Sequence, residues 1–150
     1  MKTILIFGLP GSGKTTLAKS LCDKIDADWY NADEIRKAAD DWDFSDEGRL
    51  RQCNRMHTLC VDSNREGRHA VADFVCPRND YREIVKPDLT IWMDTIEEGR
   101  FDDTNQIFEP PVGLRIHDGD FVIDKDSWWT DDFTECWANL LALKVNNGKD

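Results

Sequence analysis

The run GLPGSGKTT at residues 8–16 fits GxxxxGK[ST], with Gly8, Gly13, Lys14 and Thr15 at the defining positions. An apolar run precedes it and a helical pattern follows it, which is the context such a loop needs. Its chemistry is phosphate binding. Glycines let backbone amides converge on phosphate oxygens, and the amino end of the next helix adds partial positive charge. Gly8, Leu9, Pro10, Gly11, Ser12, Gly13, Lys14, Thr15 and Thr16 are the candidate nucleotide-binding residues. Lys14 has the reach for the outer phosphates and Thr15 the hydroxyl to hold Mg²⁺, so ATP or GTP with magnesium is expected.

Two acids stand where strands should end. Asp33 lies just past a second strand-like run, where the carboxyl ends of parallel strands open onto a ligand crevice. An acid there accepts a proton from an attacking hydroxyl, or orients it toward a γ-phosphate. Asp is also a preferred helix cap, and ADEIR suits a helix start. Asp73 closes HAVAD, where an acid either binds magnesium, directly or through water, or merely ends a strand. Both readings of both acids stand at this level. Arg36, Arg49, Arg55, Arg78, Arg82 and Arg100 are the cations placed to offset charge on a moving phosphoryl group. Cys53, His57 and Cys60 share one helix face, but three ligands without a fourth read as core packing rather than a metal site. Trp128, Trp129 and Trp137 read as core and helix-packing residues, because no basic residues interleave them.

The elements that must position these residues alternate. Strands are predicted at Lys2–Phe7, Asp28–Ala32, His69–Val75, Leu89–Met93 and Phe121–Ile123. Helices are predicted at Thr15–Lys24, Glu34–Asp40, Asp46–Glu66, Asn79–Val85 and Phe133–Val145. The alternation implies an α/β P-loop NTPase fold, a mostly parallel five-stranded sheet with helices on both faces. Residues 97–120, rich in Asp, Gly and Pro, are expected to be irregular, as a lid or binding loop is.

At 150 residues, one domain covering 1–150 is expected. Thirty acidic against nineteen basic residues give a net charge of −11, which disfavours nucleic acid as a general partner and leaves a small-molecule nucleotide as the expected one. No apolar run is long enough for a membrane helix, and the first residues are too short an apolar stretch for a secretory signal. The five cysteines form no CxxC pair and read as reduced thiols of a cytoplasmic protein. A homodimer is compatible with all of this.

Taken together, these segments resemble adenylylsulfate kinase, the P-loop enzyme that phosphorylates the 3′-hydroxyl of adenosine 5′-phosphosulfate. The likeness runs from Lys2 to about Pro111. The family's GLSGSGKST reads here as GLPGSGKTT, and its DGDNIR as NADEIR, which puts its acid at Asp33 and its arginine at Arg36. GFSxxDRxxNxRR aligns with DFSDEGRLRQCNR, matching Phe44, Ser45, Arg49 and Arg55, with Gln52 at the asparagine. SFISP reads as DFVCP, keeping Phe74 and Pro77; FTGIDDPYEAP reads as FDDTNQIFEPP, matching Phe101, Glu109 and Pro111.

The resemblance implies an ATP- and Mg²⁺-dependent kinase in sulfate assimilation. Asp33, Arg36, Phe44, Arg49, Gln52, Arg55, Phe74, Val75 and Phe101 would hold its substrate. Phe44 and Phe101 would clamp the adenine, and the arginines would take the phosphosulfate. Lys14, Asp33 and Arg100 would be catalytic, and Thr15 and Asp73 would be the metal residues. The departures are specific. The family's basic lid is nearly missing before Gly99, leaving Arg100, or Arg115 farther on, to supply that charge. Asp73 replaces a serine, Asn105 an aspartate and Phe108 a tyrosine. Two other readings stand: a P-loop kinase acting on another small nucleoside or nucleotide, or on a polynucleotide 5′-hydroxyl, and a nucleotide-binding protein without turnover.

Overall fold

Five consecutive apolar or β-branched residues, TILIF, form β1 (Thr3–Phe7), and all five are buried. Such a run is stable only with both faces covered. In the computed structural model, which describes residues 1–99, 101–114, 120–129 and 133–147, β1 is the central strand. It is flanked by β3 (Ala70–Phe74) and β4 (Leu89–Asp94), with β2 (Asp28–Asn31) and β5 (Phe121–Asp124) at the edges. The order is β2-β3-β1-β4-β5, and every pairing is parallel.

Alternation along β1 sends Ile4 and Ile6 to one face and Leu5 and Phe7 to the other. The first face packs against Leu17 and Leu21 of α1 (Lys14–Ile25) and Leu141 and Val145 of α6 (Phe133–Asn147). The second packs against Met56 and Cys60 of α3 (Asp46–Arg65) and Tyr81 and Val85 of α4 (Asn79–Val85). The α/β P-loop fold is therefore as expected, with helices on both faces.

The short α2 (Ala32–Ala39) starts directly at the end of β2, capped by Asn31, whose side chain accepts from the Glu34 amide at 3.1 Å. Asp33 is therefore not the cap. The loop between α2 and α3 lies tight against α3: a Cβ on Gly48 would sit 2.1 Å from the Asp43 carbonyl oxygen, so only glycine allows this approach. Ser45 caps α3 by accepting from the Gly48 amide.

The segment expected to be irregular contains a helix, α5 (Asp102–Ile107). DDTNQI has no apolar repeat, and tertiary contacts hold it. Asn105 bridges Gly99, accepting from its amide at 2.7 Å and donating to its carbonyl at 3.2 Å, and the adjoining Phe108 stacks on Phe7. Trp128 is in the core and Trp137 is half-buried against Phe121, whereas Trp129 is 56% exposed and is not a core residue. His57 pairs through Nδ1 with the Val85 carbonyl, and Cys53 and Cys60 are packed in the core. All five cysteines are free; burial pushes the Cys22 and Cys60 thiols up to about 12.

Candidate active site

The loop from Gly8 to Gly13 turns from the end of β1 into α1. Gly13 holds φ +101°, and Trp128 packs on it so closely that a Cβ would lie 2.5 Å from the indole Nε1. The N-cap of α1 is Gly13, which has no side chain to cap the helix, and a helix start of this kind favours an anion. Thr95 braces the loop from behind, donating to the Ser12 carbonyl at 2.6 Å, and its own carbonyl accepts from Trp129 Nε1 at 2.9 Å. The buried Lys14 folds back over the loop, its ammonium 3.0 Å from the Leu9 carbonyl.

Parallel pairing of β2 with β3 puts Asn31 in register with Asp73. Asp73 is 1% exposed, and its Oδ2 accepts from Asn31 Nδ2 at 3.0 Å, Thr15 Oγ1 at 3.1 Å and Trp29 Nε1 at 3.3 Å. Asn31 Nδ2 also reaches Thr15 Oγ1 at 3.3 Å. Burial raises the Asp73 pKa above its ordinary value, against the lowering effects of Asn31, Lys14, Thr15 and Trp29. Its Oδ1 is buried without a hydrogen-bond partner. A hard cation suits this donor set: a buried carboxylate with one oxygen on the Thr15 hydroxyl and the other unpartnered, in a place that penalises a bare negative charge.

A cavity of about 310 Å³ opens at the carboxyl ends of β1, β2 and β3. Pro10, Gly11, Lys14 and Thr15 form its loop side, with Asn31, Asp33 and Asp73 beside them. Its other side brings together Arg36, Phe44, Arg49, Gln52, Phe74, Val75 and Phe101. Asp33 is exposed in the first turn of α2, and Asn31, not Asp33, does the capping there. Phe44 and Phe101 are 49% and 56% exposed, at the wall of the same cavity. Arg36 lies 4.3 Å and Arg49 5.4 Å from the Phe44 ring centre. Burial lowers the Arg36 pKa, and its Nη1 donates to the Asp41 and Asp43 carbonyls, which fixes the loop that carries Phe44.

Some expected residues stand elsewhere. Gly8, Leu9, Ser12, Gly13 and Thr16 shape the loop without lining the cavity. Arg55 is not on the cavity wall: it donates to Asp41 at 2.9 Å and to Gln52, and Gln52 in turn donates to the Ala32 carbonyl at 3.0 Å. Arg78 pairs with Asp80. Arg82 supports the wall from beneath, donating to the Cys76 and Glu109 carbonyls, and burial brings its pKa down to about 10. Arg100 and Arg115 lie outside the described residues. Asn31, Trp29, Thr95 and Tyr81 were not singled out by sequence reasoning; for Asn31 a signal existed, since an Asn before a helical run is a strong cap.

Residues 4–85 match a protein family described as AAA domain. The chain belongs to the AAA domain family. No curated protein matches it in sequence. Among solved structures, this AAA domain chain is similar to that of APE1195, at 24% identity and a TM-score of 0.80, covering 98% of this chain and 96% of that one. It is also similar to the Mycobacterium tuberculosis APS kinase CysC in complex with AMPPNP and APS, at 17% identity and TM-score 0.74, covering 97% of each chain. A sugar kinase from a Janibacter species is 16% identical with TM-score 0.70, covering 99% of this chain and 96% of that one. At these identities the likeness is one of fold: the AAA domain chain has the P-loop kinase fold.

Proposed function

We propose that this protein is a single-domain, cytoplasmic, ATP-dependent kinase that phosphorylates the 3′-hydroxyl of adenosine 5′-phosphosulfate. One observation carries the reading: one cavity is lined by the phosphate loop, by two exposed phenylalanines and two arginines, and by Asp33. A planar base suits the two rings, and an anion suits Arg36 and Arg49.

In this reading Lys14 leaves the Leu9 carbonyl for the outer phosphates, and the first amides of α1 take charge that develops on the transferring group. Asp33, on the cavity wall in the first turn of α2, accepts the proton of the attacking hydroxyl. Thr15 and Asp73 would hold magnesium, which when bound offsets phosphate charge. Asn31 and Trp29 keep Asp73 in place, and α5 with Phe101 covers the acceptor side.

The engagement of Arg55 with Asp41 and of Gln52 with Ala32 favours a second reading, in which the acceptor is another small hydroxyl compound that asks for fewer cations. The test is incubation with ATP and Mg²⁺ against adenosine 5′-phosphosulfate, nucleosides, sugar acids and a 5′-hydroxyl oligonucleotide, with products identified by mass. The 3′-phosphorylated product supports the first reading; product only from another acceptor moves the function to the second.

A further inference from the structure

Three buried polar side-chain atoms among the described residues have no hydrogen-bond partner: Ser12 Oγ, Asp73 Oδ1 and Tyr81 OH. Ser12 Oγ is enclosed within the phosphate loop, and Asp73 Oδ1 belongs to the carboxylate suited to a cation. Tyr81 is different. It lies at the start of α4, only 2% exposed, and forms part of the cavity wall on the acceptor side with Cys76, Pro77, Phe101 and Thr104.

A buried phenol hydroxyl has lost its water and gained nothing from the protein, so phenylalanine would pack equally well here. None of its neighbours bonds the hydroxyl: Tyr81 packs in the cluster of Phe7, Met56, Cys76 and Val85, Arg78 lies over its ring, and the charges of Asp46, Asp80 and Arg49 act on the hydroxyl without a hydrogen bond to it. Burial also raises the Tyr81 pKa, so the group stays a neutral hydroxyl able to donate and to accept.

We propose that the Tyr81 hydroxyl is a specificity-determining contact to the acceptor, completed by a polar atom of a nucleotide held in the cavity. This rests on the kinase reading above and deepens it: Phe44 and Phe101 have faces that tolerate any base, whereas a single buried hydroxyl rejects a molecule that cannot pair with it. The acceptor class it implies is a nucleotide whose base or ribose presents a hydrogen-bonding edge toward α4.

The test compares wild type with Tyr81→Phe, using calorimetric titration of adenosine 5′-phosphosulfate and of AMP in the presence of ADP and Mg²⁺, with thermal melting of the ligand-free protein alongside. The expected result is acceptor affinity weakened about tenfold or more, ADP affinity unchanged, and a melting temperature equal to or above wild type, because an unpaired polar atom has been removed. Tyr81→Phe with unchanged affinity for both nucleotides overturns the proposal, as does a lower melting temperature with unchanged affinity, which would make the hydroxyl a structural bond. If wild type binds neither nucleotide, the proposal also falls. Failure of the kinase reading is separate: the nucleotides bind, Tyr81→Phe weakens them, and no phosphate is transferred.

Discussion

Gly13→Ala should unseat the phosphate loop. Gly13 holds φ +101°, a conformation that L side chains adopt at a cost of about 1–2 kcal/mol. An added Cβ would also lie 2.5 Å from Trp128 Nε1 and 2.7 Å from its Cε2 and Cζ2. Trp128 is 5% exposed and packed in the core with Leu141 and Ala138, so it cannot swing aside, and overpacking of this kind adds about 1–3 kcal/mol. The total is about 2–5 kcal/mol, which in a chain of this size lowers the melting temperature by roughly 4–20 °C. A double-mutant cycle separates the two effects. On a Trp128→Leu background the steric part should vanish, so Gly13→Ala should cost only the backbone part, about 1–2 kcal/mol. Thermal melts of the four proteins, with ATP titrations beside them, provide the readout. Equal destabilisation on both backgrounds would refute the packing argument, and a Gly13→Ala protein that melts and binds ATP like wild type would refute both parts.

Asp33→Asn should lower kcat roughly 100- to 10,000-fold while leaving ATP affinity and melting temperature unchanged, because Asp33 is exposed and Asn31 does the capping. Asp73→Asn should weaken Mg²⁺-dependent ATP binding roughly ten- to a hundredfold, read by calorimetry with and without Mg²⁺, and should not destabilise the metal-free protein. Arg51, then Arg55, hold the Asp41 carboxyl well below its ordinary value of 3.8. A depressed pKa gives stability that is full above the unfolded value and lost as pH falls through the folded one. Melting temperature should therefore drop as pH is lowered below about 4, and Asp41→Asn should flatten that dependence.

The strand, loop and α1 were readable because they are local: an apolar run buried on both faces, glycines that permit the turn, and a lysine and threonine at fixed offsets. The ends of the other helices and strands fell within a few residues for the same reason, since period and punctuation mark them. The strand order was not readable, and with it went the hydrogen bonds around Asp73. The cap signal of Asn31 says nothing of Asp73, which it meets only because β2 pairs with β3. Arg55 shows the same limit from the other side: its position in an arginine-bearing segment says nothing about Asp41, fourteen residues earlier, which takes it away from the cavity. Helix α5 was hidden because DDTNQI carries no apolar repeat, and what holds it, Asn105 on Gly99 and Phe108 on Phe7, is tertiary.

The proposed reaction carries a γ-phosphate across one cavity, from the loop side to an adenosine-bearing acceptor on the other. It is tested most directly by single-turnover incubation of the protein with ATP labelled in the γ-phosphate, Mg²⁺ and adenosine 5′-phosphosulfate, with Lys14→Ala run in parallel. Label on the 3′-hydroxyl with wild type, and its loss with Lys14→Ala, is the predicted result. ATP bound by wild type with no label on the acceptor, or equal labelling by Lys14→Ala, would contradict it.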